Sequence, residues 1–231
     1  MILYCGGLVI VYRYWDVSTA YPMVRSLPLL LVAAITGVFG IGSPLNIFAI
    51  IGMIMVFSGC LCMPIKDWQS FRWRDYFKLK MVFVLICASG TAGYTIFDSL
   101  ALAAVGEVYD PQGVSQVVKS LSYYSVREVF LGSILIFGSL VIPGQRRHYA
   151  EIWRQCRWLP MVAGCLASIS YVLVLISMNF VNNVSYIQVF RQMGLLFAVA
   201  AGVFILKERV SWLKIAGLLL IICGLCISVI K

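Results

Sequence analysis

Long apolar runs alternate with short polar or charged stretches along the whole chain. A helix needs about 20 residues to cross the roughly 30 Å hydrocarbon layer of a bilayer. Against that length the pattern predicts full spans at residues 18–39, 46–63, 81–105, 123–142 and 159–178, and two more inside 185–230, where the elbow Lys207-Glu208-Arg209 joins a helical hairpin. Residues 1–11 are apolar but too short to span, and they read as the tail of a helix. The chain thus shows eight hydrophobic segments, seven full spans and an N-terminal partial helix. Residues 40–45 form a tight uncharged turn, 106–122 a polar loop with a turn at Asp110-Pro111, and 179–184 a short turn. Arg127-Glu128 enters the fourth full span, and Pro143-Gly144 ends it.

The pattern repeats. Gly37, Gly52 and Gly59 are spaced by 15 and 7 residues, and so are Gly202, Gly217 and Gly224, at a constant offset of 165. Arg25 precedes the first set by 12 residues and Arg191 the second by 11. Two apolar hairpins with the same glycine spacing and the same leading arginine point to an internal duplication. It divides the chain into an incomplete first repeat at 1–65, a basic aromatic linker at 66–80 and a complete second repeat of five spans at 81–231. The offset places Met1 about seven residues inside the counterpart of the helix at 159–178, so the first copy is expected to lack 88 residues, enough for two spans. A shortened chain is the expected reason.

Composition agrees with this class. Hydrophobic residues make up 62% of the chain and charged residues 12%, more apolar surface than a soluble domain of 231 residues could bury. The expected fold is all-α, a polytopic transmembrane helical bundle. The net charge of +9 would suggest nucleic acid in a soluble protein. Here the cations lie between apolar runs, where they anchor topology and headgroups, and no basic nucleic-acid motif is present. Residues 66–80 mix Lys and Arg with Trp68, Phe71, Trp73, Tyr76 and Phe77, which suits a membrane interface.

Tyr21-Pro22-x2-Arg25-Ser26-x-Pro28, and Val189-Phe190-Arg191-Gln192 continuing to Lys207-Glu208-Arg209, are each followed by a Gly-x6-Gly helix. These stretches resemble the fourth and ninth helices of the drug/metabolite transporter (DMT) superfamily, EamA-like branch. Tyr94-x3-Asp98 is similar to that family's sixth helix. The resemblance runs over essentially the whole chain, from a partial third helix to the tenth. It implies a ten-helix inverted-repeat fold that exports small metabolites. Two features depart from it: the first two helices are missing, and no acidic residue closes the helix before 40–45.

The charges within spans carry the chemistry. An Arg or Asp near the bilayer centre costs about 2.5 to 3.5 kcal/mol, so such groups face a wet cavity or one another. Arg25 and Arg191 either line a pathway or snorkel to the nearer interface. Asp98 is too short to snorkel far, and it shares a helical face with Tyr94 and Gly90. Tyr171, with Ser168 one turn earlier, adds a polar face to the fifth full span. Arg25, Tyr94, Asp98, Ser168, Tyr171 and Arg191 are therefore the candidate pathway residues. Gly37, Gly52, Gly59, Gly194, Ala198, Gly202, Gly217 and Gly224 are the candidate packing positions, since small residues let helix backbones approach. Of the eight cysteines all but Cys156 lie in apolar runs and act as small hydrophobes. The lone His148 sits in an interfacial loop, and no nucleophile, base and orienter set, metal-ligand group or cofactor motif can be assembled. No enzyme activity is expected.

The expected function is secondary transport across the cell membrane by a multi-pass protein. The cargo is a small metabolite such as an amino acid or a related zwitterion or anion, because a guanidinium matches a carboxylate with two parallel hydrogen bonds. Export is implied by the resemblance alone. Protons, exchanged at Asp98, are the candidate coupling ion, and a homodimer is compatible with the pattern. The other reading is a non-transporting remnant or an assembly or flippase subunit. The two guides to orientation disagree. Thirteen of the 18 Lys and Arg residues fall in alternate loops on one side against three on the other, which places the C-terminus outside. The resemblance implies that both termini are cytoplasmic, and the charge excess in short loops is the stronger guide.

Overall fold

In a computed structural model the described residues are 2–14, 17–62, 81–141, 151, 154–156, 158–204, 207 and 211–229. They contain helices and no strand. In chain order these are α1 (Ile2–Tyr14), α2 (Val17–Phe39), α3 (Ile47–Cys62), α4 (Met81–Tyr109), α5 (Gln116–Val141), α6 (Leu159–Met178), α7 (Ser185–Phe190), α8 (Met193–Phe204) and α9 (Trp212–Ser228), with a 3-10 turn at Asp110–Gln112 between α4 and α5. The basic linker at 66–80 and most of the basic stretch at 145–157 lie outside the described residues.

Three segments, Val82–Gln112, Gln116–Val141 and Leu159–Met178, are long and apolar enough to cross a membrane. Val24–Phe39 within α2, Ile47–Cys62 and Trp212–Ser228 are shorter apolar stretches of helix.

Three expectations from the pattern need correction. The third span continues to Tyr109, one turn past its expected end, because nothing stops the helix before Asp110-Pro111. The fourth begins at Gln116, seven residues before residue 123. Ser115 Oγ accepts the Val118 N–H at 3.4 Å, and buried Lys119 is paired with Asp110 on the preceding turn, so polar residues that read as loop are the first turns of α5. The apolar run that opens the last hairpin is not one span but two helices, α7 and α8, separated at Arg191-Gln192.

The chain divides into two compact units, Met1–Phe97 with Val181–Lys231, and Asp98–Phe180. In the first, α3 and α9 form the most extensive helix pair. A Cβ on Gly52 would lie 2.5 Å from Gly224 O, and one on Gly224 would lie 2.7 Å from Gly52 O. One turn-pair further along, a Cβ on Gly59 would lie 2.6 Å from Gly217 O. The two glycine sets thus pack on one another, backbone to backbone, as small residues in apolar helices allow. Around this seam Leu29, Ala49, Met53, Val56, Val189 and Ile221 form the core. Gly37 differs from its partners: it is exposed and a Cβ there would meet nothing within 4 Å, so among the described residues no helix approaches it closely. Ala198 and Gly202 lie in α8, and their side-chain surroundings are outside the described residues.

The turn after α2 is stitched to the turn before α7. Gly42 has a φ of 83°, which favours glycine, and a Cβ there would lie 2.5 Å from Asn182 O. Ser43 N–H donates to Asn182 O at 3.0 Å, and Asn183 Nδ2 donates to Ser43 O at 2.9 Å. Thr36 Oγ1 and Ser185 Oγ share a hydrogen bond of 2.9 Å at the same end of the two helices.

In the second unit α5 packs along α6. Asn179, at the C-terminus of α6, donates from Nδ2 to Ser120 Oγ at 2.8 Å. Most of the apolar surface of α5 and α6 remains outside the packing.

Candidate functional site

In the first unit, α2 and the α7–α8 break meet side by side. At the break the backbone leaves α-helical register. Gln192 N–H bonds to Val189 O at 3.0 Å, Gly194 N–H to Arg191 O at 3.3 Å and Leu195 N–H to Gln192 O at 2.9 Å. Each of these spans three residues, the over-wound 3-10 pattern that marks functional or strained points in helices.

Side chains from the neighbouring helices complete the break. Arg25 Nη2 donates to Arg191 O at 3.1 Å, and Gln192 Nε2 donates back to Arg25 O at 3.0 Å. Arg191 Nη2 donates to Tyr94 Oη at 3.2 Å, and its guanidinium carbon lies 6.0 Å from the centre of the Tyr94 ring. Gln188, one turn before Gln192, donates from Nε2 to Thr95 Oγ1 at 2.6 Å. Tyr4 of α1 stands edge-on to Tyr94 with ring centres 6.1 Å apart. Gly194 faces Arg25, since a Cβ there would lie 3.7 Å from Nη1 and Nη2.

These groups surround a cavity of about 90 Å³ whose walls include Tyr4, Arg25, Tyr94, Gln188, Arg191 and Gln192. That is room for a solute of only a few heavy atoms, well below the roughly 300 to 1,000 Å³ of a drug-sized pocket. Its walls carry two guanidinium-bearing residues and no carboxylate. Gln192 Oε1 is buried and makes no hydrogen bond among the described residues. A buried amide oxygen calls for a donor. The walls therefore offer cationic donors for an anion and an acceptor for an N–H. A larger groove of about 660 Å³ runs along α2 and α3, bordered by Leu30, Ala33, Gly37, Ile50 and Ile54. Its walls are mostly apolar, with Thr36, Ser43 and Asn183 as the polar members and no charged side chain among the described residues.

The second unit holds its own polar cluster. Asp98 is buried, Tyr123 Oη donates to its Oδ1 at 2.6 Å, and Tyr171 Oη donates to Oδ2. Arg127 Nε lies 3.6 Å from Oδ1, while its guanidinium carbon sits 4.5 Å above the Tyr171 ring. Glu128 Oε1 is 3.4 Å from Arg127 Nη1. Two phenols and a guanidinium thus converge on one carboxylate, and a second carboxylate flanks the guanidinium.

The six candidate pathway residues fall into two groups. Arg25, Tyr94 and Arg191 meet on the cavity. Asp98 and Tyr171 bond each other, and Ser168, half-buried one turn before Tyr171, takes no part in those bonds. Sequence reasoning missed Gln188, Gln192 and Thr95 in the first group and Tyr123 and Arg127 in the second. A signal was present for all of these but Thr95. Gln188 and Gln192 are polar residues four apart in an apolar run, and so are Tyr123 and Arg127 once α5 is known to start at Gln116. No metal-binding group of His, Cys, Asp and Glu occurs among the described residues. Compared with known proteins, the chain matches no family model, no curated protein and no solved structure.

Proposed function

We propose that this chain is a multi-pass membrane protein of the cell membrane that acts as a secondary transporter. Its cargo is a small carboxylate-bearing metabolite, an amino acid or a related zwitterion or anion. The observation that carries this reading is the meeting of Arg25 and Arg191, the leading arginines of the two sequence repeats, on one small polar cavity at a break in a helix. Discontinuous helices beside a central cavity are a recurring way for transporters to present backbone and side-chain groups to a solute. The cargo's carboxylate takes the guanidinium donors, and its ammonium group meets Gln192 Oε1 and Tyr94 Oη.

An EamA-like inverted repeat is part of the proposal. Its support is the reciprocal pairing in the α3–α9 seam, where Gly52 faces Gly224 and Gly59 faces Gly217. With an offset of 165 residues, that is the pattern of a two-fold contact in which each position meets the other's counterpart. Protons exchanged at Asp98 have less support, because two phenols and Arg127 already engage its carboxylate.

The test is uptake of labelled amino acids and small carboxylates into liposomes containing the full chain. Arg191→Lys keeps the charge and loses the planar fork, and should lower uptake by about 10 to 100-fold, as loss of one charge-assisted bond of about 1.5 to 3 kcal/mol implies. No uptake of any compound by the wild type, or full uptake by Arg191→Lys, counts against this reading.

A further inference from the structure

The break between α7 and α8 is held by bonds from outside the helix. Residues 185–204 contain no proline, and Gly194, the glycine nearest the break, has a helical backbone within α8, so no residue type there forces an interruption at Arg191-Gln192. In a continuous α-helix Arg191 O would accept the Leu195 N–H. Instead Leu195 N–H bonds to Gln192 O, and Arg191 O receives the Gly194 N–H at 3.3 Å together with Arg25 Nη2 from α2. Gln192 Nε2 returns a bond to Arg25 O. Two hydrogen bonds running in opposite directions therefore clamp the break to α2.

One of those bonds uses a guanidinium that also walls the cavity. An anion adds to the guanidinium hydrogen bond a charge–charge attraction that a neutral carbonyl lacks. An anion in the cavity therefore competes directly with Arg191 O for Arg25. We propose that anion binding at Arg25 releases the Arg191 carbonyl to Leu195 N–H and closes the break. Ser185–Phe190 and Met193–Phe204 then join as one helix over residues 185–204, which has the length of about 20 residues that crosses a bilayer. Occupancy of the cavity sets the shape of the helix, and the inference rests on the cavity being an anion site.

The experiment uses the full chain in lipid nanodiscs with acetate as the probe. Amide hydrogen exchange at residues 191–195 reports the break, and saturation-transfer signal from the acetate methyl reports binding independently. Saturating acetate should slow exchange across 191–195 by about tenfold. Arg25→Leu should show the slowed exchange without acetate, because the carbonyl is released without any ligand. Acetate that binds while exchange stays unchanged in both proteins overturns the latch and leaves the anion site standing. Slowed exchange in Arg25→Leu, with no acetate binding to the wild type, upholds the latch and removes the anion site. If Arg25→Leu does not fold, Gln192→Leu removes the return bond to Arg25 O, along with a weaker 3.3 Å bond to Gln188 O, and should lower the acetate concentration needed for slowing several-fold. An unchanged concentration overturns the proposal.

Discussion

Replacing Gly52 with leucine should prevent the first unit from keeping its folded state, and even alanine there should be costly. A single methyl carbon would lie 2.5 Å from Gly224 O and 2.8 Å from both Ser228 N and Ser228 Cβ. Two of those three atoms are backbone, so no side-chain rotation relieves the contact. Overpacking a filled core costs about 1 to 3 kcal/mol when side chains can shift, and here α3 and α9 must separate instead. Gly52→Ala should lower the thermal midpoint of the chain in detergent by at least about 6 °C, taking about 2 to 4 °C per kcal/mol at this size. Gly37→Ala is the control from the same repeat. It meets nothing within 4 Å and lies near the end of α2, so its midpoint should stay level or rise slightly. Equal midpoints for Gly52→Ala and the wild type would mean that α3 and α9 do not touch through Gly52.

The second large effect is expected from Asp98→Asn. Asparagine keeps the size of the side chain and one oxygen for the hydroxyl of Tyr123 or Tyr171. It removes the negative charge beside Arg127, whose side chain is mostly buried, and leaves only the more exposed Glu128 as a counter-charge. Breaking a buried ion pair from one side costs about 3 to 5 kcal/mol, whereas replacing both partners with apolar groups is often close to neutral. Asp98→Asn alone should therefore destabilise by about 3 kcal/mol, at the lower end because Glu128 remains. Asp98→Asn combined with Arg127→Leu should recover most of that loss. Tyr123→Phe, which deletes one donor, should cost about 1 kcal/mol. Chemical unfolding of the wild type, these three variants and Arg127→Leu alone decides the matter. A double variant as unstable as the two single losses added together would mean that Arg127 and Asp98 do not act as a pair.

What was legible in the sequence was whatever hydrophobic periodicity and length determine. α2, α3 and α6 lie within a residue of the spans expected for them, because each is an apolar run bounded by a turn or a charged stretch. The glycine pairing of the seam was legible as spacing, although nothing along the chain says which glycine faces which. The break at Arg191-Gln192 was not legible, because its cause is tertiary: Arg25 donates to Arg191 O and Gln192 donates to Arg25 O, across 166 and 167 positions of the chain. The early start of α5 was hidden for a related reason. Gln116 to Ser120 is polar enough to read as loop, and only the pairing of Lys119 with Asp110 and of Ser120 with Asn179 explains why those groups sit inside the packing. That misplaced start also hid Arg127, which looks like a membrane-entry residue when the helix begins at 123 and an internal cation when it begins at Gln116.

The central claim is that a solute carboxylate sits against Arg25 and Arg191. Magic-angle-spinning NMR of the full chain in liposomes, with 15N-labelled arginine and [1-13C]glycine as the solute, measures that contact directly. A guanidinium nitrogen about 2.7 to 2.9 Å from a carboxylate oxygen places the two labelled atoms about 4 Å apart. The expected result is strong dephasing of the glycine carboxyl signal that falls by about half in Arg25→Lys and in Arg191→Lys alike. Bound glycine whose carboxyl signal is insensitive to both substitutions would contradict the account.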